Sequence, residues 1–578
     1  MPHRAHLFSL RIGHALRESC RAEPYGYRRF GRDLLAGITV GVIAIPLSMA
    51  LAIASGVAPQ YGLYTAIVAG FIIALTGGSR YSVSGPTAAF VVILYPIAQQ
   101  YGLAGLLLAT VMAGVLLVGL ALLRLGRLIE YIPESVTLGF TAGIAVVIVT
   151  LQVKDLLGLP LTSLPDHYLD KVAALGAALP AFAWPSFAVA AATLATLLLW
   201  PRLRLPASPH LPAVIVGTLV ALWLNSRGFA VETVGSRFSY ALPDGTAGRG
   251  VPPFLPGFEW PWLQPGSNGR PLEFSWQLVQ DLVPAAFAIA MLGAIESLLC
   301  AVVLDGMTGK RHSANSELLG QGIGNIVAPF FGGITATAAI SRSAANFKAG
   351  AQSPVAAMVH ALVVLLGLVA LAPLLAYLPM AAMAALLIVV AWNMSEAPKA
   401  LRLLKTAPRG DLWVFLTCFS LTVLLDMVVA ITAAVLLAAV LFMKEVAEMT
   451  KVYEISSNRN LVAVDLPEGW SVYKINGPLF FAAAERIFGE LAGLIAGRKG
   501  IVLYMDGVSI IDAGGLSALD KLIDQCRRDG CRVMIADLQF QPLKTLARAG
   551  VAPVEGVSSF HPTLRDALES LALASSAS

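Results

Sequence analysis

The sequence predicts a polytopic α-helical membrane protein followed by a small α/β domain. Three observations carry that reading. The 578 residues are 57% hydrophobic and 13% charged, where an ordinary soluble domain is roughly 25% charged. Two apolar segments far apart in the chain are interrupted in the same way. Beyond Leu461, short β-like runs alternate with helical ones.

The membrane part is read first. Gly102 to Leu123 carries no charge and is long enough to span once. Pro354 to Ser395 contains no Asp, Glu, Lys or Arg, and its Leu378-Pro379 break predicts two spans joined by a tight turn. Between Asp33 and Met449 the pattern gives about fourteen crossings or half-crossings. The first 32 residues hold seven arginines and no apolar core, so no cleavable leader is expected. Arg28, Arg29 and Arg32, then Arg124 and Arg127, Arg202 and Arg204, Lys310 and Arg311, and finally Lys399, Arg402, Lys405 and Arg409 fall in alternate loops. The positive-inside rule puts all of them, and the N-terminus, in the cytoplasm. The longest loop, Asn225 to Gln280, has four arginines, no lysine and four acids, and is expected outside. The formal net charge of +5 follows from this topology and does not indicate nucleic-acid binding.

The interrupted segments are the most informative feature. One reads Ser82-Val83-Ser84-Gly85-Pro86-Thr87-Ala88-Ala89-Phe90, the other Gly332-Gly333-Ile334-Thr335-Ala336-Thr337-Ala338-Ala339-Ile340-Ser341-Arg342-Ser343. Each begins with small and hydroxyl residues, turns into helix formers, and is too short to cross as one helix. Such paired breaks in two halves of a transporter mark its central site. A helix that starts at mid-membrane leaves its first amides unpaired and aims its positive dipole end at the cavity, which suits an anion. The membrane part also reads as a repeat: Pro46 lies 41 residues before Thr87, and Glu296 lies 41 residues before Thr337. An odd number of crossings between the copies, seven here, would invert one relative to the other.

Candidate chemistry is sparse. Glu296 sits in Ala285 to Leu304, whose other polar atoms belong to Ser297 and Cys300. A carboxylate at membrane depth is costly and should face a cavity or a partner; it reads as a proton or cation coupling group, or as a packing carboxylate. Arg342 reads as a source of positive potential for an anion, or as a snorkelling arginine like Lys348. Thr87, Ala88, Ala89, Phe90, Thr337, Ala338, Ala339 and Ser341 offer amides or hydroxyls at the helix starts, and small side chains there equally suit close helix packing. Gly320-Gln321-Gly322-Ile323-Gly324 and the Gly37/Gly41 pair read as packing faces, and His360 as a satisfied core histidine. No P-loop, HExxH or GxSxG motif occurs, and Cys20, Cys300, Cys418, Cys526 and Cys531 have no metal-ligand spacing. No enzyme activity, metal or cofactor is therefore expected.

From Leu461 the runs Val472–Ile475, Ala482–Ala496, Ile501–Met505, Gly515–Arg527 and Cys531–Ala536 predict a sheet covered by helices. The predicted organisation is a cytoplasmic segment (1–32), a transporter domain (33–449), a linker (450–460) and the α/β domain (461–573), also cytoplasmic.

These residues resemble the sulfate permease (SulP) family of anion transporters. The resemblance rests on Asp33-Leu34-Leu35-Ala36-Gly37-Ile38-Thr39-Val40-Gly41, Ser55-Gly56-Val57-Ala58-Pro59-Gln60-Tyr61-Gly62-Leu63-Tyr64 and Gly85-Pro86-Thr87-Ala88. It continues through Ala294-Ile295-Glu296-Ser297-Leu298-Leu299 and Ile340-Ser341-Arg342-Ser343-Ala344-Ala345-Asn346. It implies fourteen transmembrane segments in a seven-plus-seven inverted repeat like that of uracil permease, divided into core and gate domains. It further implies elevator-type movement, a homodimer, and a C-terminal STAS domain with a possible cytoplasmic protein partner. Glu296 falls where relatives place a coupling carboxylate, and Ser341 and Arg342 where anion-binding relatives have a serine and an arginine. Two departures stand out. Leu47 follows the first-span proline where many relatives have Gln or Glu. Asp512-Ala513-Gly514-Gly515 replaces the Asp-Ser-Ser-Gly of phosphorylated soluble STAS domains, so that phospho-switch is absent. Within the family the resemblance points to bacterial inner-membrane carriers that import C4-dicarboxylates by proton symport. The alternatives are a sodium- or proton-coupled bicarbonate or sulfate transporter and a passive anion channel.

Overall fold

The computed structural model describes residues 10–21, 24–126, 132–161, 163–165, 167–203, 208–241, 246–425, 427–495 and 497–576. Arg127 and Arg204 lie outside the described residues. The chain forms two compact units, Met1–Val435 and Leu436–Ser578.

In the first unit a short helix α1 (His14–Arg21) precedes α2 (Tyr27–Ala54), which contains Pro46, and α3 (Pro59–Thr76), which passes through a π-helical turn at Thr65–Ala69. Strand β1 (Ser84–Gly85) leads into α4 (Ala88–Leu122). Gly102 breaks α4 with φ 68°, a left-handed value that suits glycine; a Cβ there would meet the Gly266 carbonyl carbon at 2.3 Å. Then follow α5 (Glu134–Leu157), α6 (Tyr168–Ala178), α7 (Trp184–Leu199) and α8 (His210–Ser226). A loop with a small hairpin, Ser239–Ala241 against Ala247–Arg249, leads to α9 (Trp276–Thr308) and α10 (Ala314–Val327). Strand β2 (Thr337–Ala338) leads into α11 (Ile340–Lys348), followed by α12 (Val355–Leu375), α13 (Met380–Met394), α14 (Ala397–Thr406), α15 (Arg409–Leu424) and α16 (Met427–Met449).

Among the described residues, nine helical stretches are long and apolar enough to cross a membrane. Splitting α4 at Gly102, and adding the shorter α8, α10, α11 and α15, gives the fourteen segments of the predicted fold. The 102–123 stretch is a span of its own, and Pro354–Ser395 does divide, between Leu375 and Met380. The interrupted segments are the third and the tenth, the same place in each half.

Two packed groups result. Helix α12 packs on α2, and α9 and α10 pack on α4; α5, α13 and α15 pack together, as do α7, α8 and α13. The first group carries both breaks. Its close contacts explain its glycines. A Cβ on Gly37 would lie 2.5 Å from the Ala356 carbonyl oxygen, and one on Gly62 would lie 2.0 Å from that of Ser48. Backbones can approach this closely only without side chains.

The second unit, beyond its α16 portion, is a five-stranded sheet ordered β3 (Lys451–Glu454), β4 (Trp470–Asn476), β5 (Gly500–Gly507), β6 (Arg532–Ala536), β7 (Ser558–His561). Strand β3 is antiparallel to β4 and the remaining pairs are parallel. Parallel strands require crossovers, here α17 (Phe481–Ile495), α18 (Ala513–Asp529) and α19 (Phe540–Arg548), before α20 (Leu564–Ser576). Strand alternation sorts the core: Ile475, Ile501 and Leu503 pack with Ile487, Leu491 and Leu519 on one face, and Val472, Val502 and Met534 pack with Leu564 and Leu568 on the other. Asp512 caps α18 by accepting from the Gly515 amide at 2.7 Å. It thus has a structural task at the place where soluble relatives carry their switch. Asp506 accepts from Lys474 Nζ at 2.9 Å.

Candidate functional site

The two breaks meet. Strands β1 and β2 pair antiparallel, with Ser84 opposite Ala338 and Gly85 opposite Thr337. Two extended pieces inside a membrane protein leave polar backbone groups that lipid cannot satisfy, so each must find a partner in protein. The other strand supplies part of it. The Ala339 amide adds a bond to the Val83 carbonyl at 3.1 Å. From this small sheet the chain turns at once into α4 and α11.

Buried side chains supply the rest. Asn325 brackets Ala336, donating to its carbonyl at 2.9 Å and accepting from its amide at 2.8 Å. Gln321 donates to Ser84 Oγ at 3.0 Å and to Glu317 Oε1 at 3.2 Å. Glu317 Oε2 accepts from the amides of Gly78 and Ser79, both at 2.9 Å. Thr65 accepts from the Ile334 amide at 2.7 Å, and Ser343 from the Val83 amide at 2.9 Å. Glu317, Gln321 and Asn325 recur every four residues on one face of α10. That spacing was the available signal, and a reading of the neighbouring glycines alone passes it by. The glycines do pack: a Cβ on Gly320 would lie 2.5 Å from Gly77 Cα, and one on Gly322 2.8 Å from the Gly114 carbonyl oxygen.

Both helix starts are open. Thr87 and Ala339 occupy the caps of α4 and α11 in extended backbone, and neither makes a side-chain cap bond. Ala339 has no group to offer. Thr87 has one, but its hydroxyl donates instead to Glu296 Oε2 at 2.9 Å. The first amides of each helix are thereby left to whatever fills the space before them. Thr87, Ala88, Ala89 and Phe90 are buried, and Phe90 packs toward Gly293 of α9. The Thr337 hydroxyl is turned inward, bonded to Ser297 Oγ at 2.6 Å and to the Gly293 carbonyl at 3.2 Å. Ser341 is exposed, and Glu296 is half-buried.

Arg342 is 3% exposed and lies over Gly85, where an added Cβ would sit 2.6 Å from Nη1. Its Nη2 donates to the Pro86 carbonyl, while Nη1 has no partner. Arg342 holds the carbonyl of Pro86 and Glu296 holds the hydroxyl of the next residue, Thr87, so the two charged groups flank one short stretch of chain. A buried guanidinium with an unpaired donor is costly unless an acceptor arrives. The arrangement thus gathers an arginine, a carboxylate and two open helix starts. It joins Glu296, Thr87 and Arg342 from three separate segments.

His360 differs from the expectation. It is fully buried, but neither ring nitrogen has a hydrogen-bond partner. Its surroundings explain this: Nδ1 faces Gly70, 4.0 Å from the position of an added Cβ, where no side chain can reply.

A cavity of about 650 Å³ opens apart from these residues, lined by Tyr95 and Gln99 of α4, Gln152, Lys154 and Asp155 of α5, and Glu232 and Arg237 of the long loop. Arg237 is tied to Asp155 and Glu232 there.

Residues 30–418 match the sulfate permease family and residues 462–567 the STAS domain. The chain is 39% identical over 537 residues to YvdB of Bacillus subtilis (strain 168), provisionally named a sulfate transporter; the match spans 93% of this chain and 97% of that one. The solved transmembrane domain of the cyanobacterial bicarbonate transporter BicA is 26% identical, with a TM-score of 0.59, over 72% of this chain and 98% of that one. The murine anion transporter Solute Carrier 26 family member A9 shares the fold, with a TM-score of 0.80 at 19% identity over 98% of this chain and 94% of that one. The chain belongs to the sulfate permease family and is a multi-pass membrane anion transporter with a STAS domain.

Proposed function

We propose that this transporter imports C4-dicarboxylates (succinate, fumarate, malate, aspartate) across the bacterial inner membrane by proton symport. The substrate docks at the open starts of α4 and α11, at Thr87 to Phe90 and Thr337 to Ser341, and its carboxylate takes the unpaired Nη1 of Arg342. Glu296 carries the proton. The observation behind this reading is that the unpaired Nη1 of Arg342 and the Glu296 carboxylate flank one stretch, with Arg342 on the Pro86 carbonyl and Glu296 on the Thr87 hydroxyl. An anion bound at Arg342 competes with Glu296 for the same positive field, so binding the anion favours proton uptake at Glu296, and protonation favours the anion. Such reciprocity is what symport needs. A dianion entering a negative interior is opposed by about 2.3 kcal/mol per charge per 100 mV, which co-transported protons offset. Elevator movement of the group holding α2–α4 and α9–α12, homodimerisation, cytoplasmic placement of the STAS domain and a protein partner there complete the proposal. Placement follows from the basic residues in alternate loops.

A second reading has specific support. YvdB is provisionally named for sulfate and BicA for bicarbonate, and both are small anions that the same arginine would hold. Uptake of radiolabelled succinate into proteoliposomes under an imposed proton gradient separates the two. Competition by fumarate but not by sulfate or bicarbonate supports the first reading. Absence of succinate uptake, with proton-driven uptake of radiolabelled sulfate or bicarbonate in its place, supports the second. Anion currents insensitive to the proton gradient would instead indicate a passive channel.

A further inference from the structure

The longest loop carries an apolar surface that the paired breaks do not use. From Phe254 to Trp276 six of the 23 residues are aromatic, whereas the whole chain is 8% aromatic, and three of its nine tryptophans fall there. Leu255, Phe258, Trp260, Leu263, Phe274 and Trp276 are between 45% and 73% exposed. Glu259, Arg270 and Glu273 are the only charged residues of the segment. Large apolar side chains exposed together mark an interaction surface, where a single one does not.

The segment is fixed to the ends of membrane helices. The Glu259 amide donates to the Phe330 carbonyl at 2.8 Å, and the Phe258 ring stacks on that of Phe330 with centroids 5.7 Å apart. Phe330 belongs to the turn that ends α10. Trp260 stacks on Trp262 at 4.9 Å, and the helical turn Pro261–Leu263 packs on α4. The Ala104 amide donates to the Pro265 carbonyl at 3.2 Å. These attachments set the depth of the loop. Ala104 lies in the first turn of the uncharged stretch Gly102 to Leu123, and Trp276 opens α9. Both are places where the chain passes between a loop and an apolar span, which is the level of the lipid headgroups.

Polarity is sorted along the segment. Pro265 and Pro271 bridge across a neck. The turn between them ends in Ser267-Asn268-Gly269-Arg270, all exposed and polar or glycine. The exposed apolar residues lie on either side of that turn. Pro252, Pro253, Pro256, Pro261, Pro265 and Pro271 carry no amide. An irregular backbone built this way brings fewer unpaired donors to lipid, where water cannot satisfy them.

We infer that the apolar flanks of this loop dock on the membrane itself, in the headgroup region of the leaflet opposite the basic loops. Tryptophan suits that depth, since its ring is apolar and its N–H can stay wet. The polar turn at Asn268 stays in water. The loop thus ties the ends of α4 and α10 to the lipid surface.

The test uses the full-length protein in proteoliposomes of phosphatidylglycerol and phosphatidylcholine. Cys20 is the exposed cysteine and the other four are buried, so C20S serves as the background for single nitroxide labels. L255C, L263C and N268C replace exposed residues and should fold normally. Paramagnetic resonance then compares collisions with oxygen, which enriches in lipid, and with a water-soluble nickel chelate. The oxygen-to-nickel ratio at positions 255 and 263 should be severalfold that at 268. Equal ratios at all three positions would place the loop in water and overturn the assignment. Labels at 255 and 263 that are shielded from both reagents and broadened by a neighbouring label would also overturn it, because a second copy of the chain would then cover the surface.

Discussion

The Thr87 hydroxyl donates to Glu296 Oε2 across 2.9 Å, joining residues 209 positions apart. One group thereby serves two purposes. It satisfies a carboxylate inside the membrane, and by turning away from its own helix it leaves the start of α4 uncapped.

Thr87→Ala removes the donor and should lower kcat/KM for proton-driven uptake. A hydrogen bond to a charged group is worth about 1.5–3 kcal/mol, so the loss should be roughly tenfold to hundredfold. Thr87→Ser keeps the hydroxyl and should transport nearly as the wild type does. Equal uptake by the Ala and Ser variants would show that the bond has no part in transport.

Asn325 holds the strand before α11 by two bonds to Ala336. Asn325→Ala leaves a buried amide and a buried carbonyl unmatched, at a cost of about 2–4 kcal/mol. Thermal unfolding in detergent should show a clear fall in Tm, and uptake should fall with it. An unchanged Tm would mean that β2 is held mainly by β1.

His360 is the opposite case, a buried ring with neither nitrogen paired. Replacing an unpaired polar group with an apolar one of similar size is neutral or stabilising. His360→Leu should keep its Tm or raise it, with uptake intact. A folded variant that no longer transports would contradict this and give the imidazole a role in the cycle.

The thiols give a test of the second unit. Cys526 and Cys531 are buried, and the hydrogen bond that the Cys526 thiol donates toward Cys531, together with burial, pushes the Cys526 thiol up. A raised thiol pKa means less thiolate at any given pH and slower alkylation. At pH 8 iodoacetamide should modify the exposed Cys20 in the native protein and reach Cys300, Cys418, Cys526 and Cys531 only on unfolding. Rapid native modification of Cys526 would show that the sheet domain opens there.

Much of this was legible in the sequence, for identifiable reasons. The breaks at Ser82–Phe90 and Gly332–Ser343 stand out because small and hydroxyl residues interrupt strong apolar helices. The STAS core is legible because Val472 to Ile475, Ile501 to Met505 and Cys531 to Ala536 are short, mostly apolar runs interrupted only by Lys474 and Arg532, as the buried strands of a largely parallel sheet require. Strands β3 and β7 carry no such run: Lys451–Glu454 and Ser558–His561 are short and polar. The pairing of β1 with β2 was not legible, since it depends on which backbone groups meet across more than two hundred residues. The same holds for Glu317, whose partners Gly78 and Ser79 lie 239 and 238 residues away. His360 looked like an ordinary core histidine because its glycine neighbours come from other helices.

The most direct test is a cryo-electron microscopy map of the full-length protein saturated with succinate. Density for the anion should lie between the starts of α4 and α11, in contact with Arg342 Nη1 and the amides that follow Thr87 and Ala339. Density elsewhere, or two unbroken helices in place of the paired strands, would contradict the account.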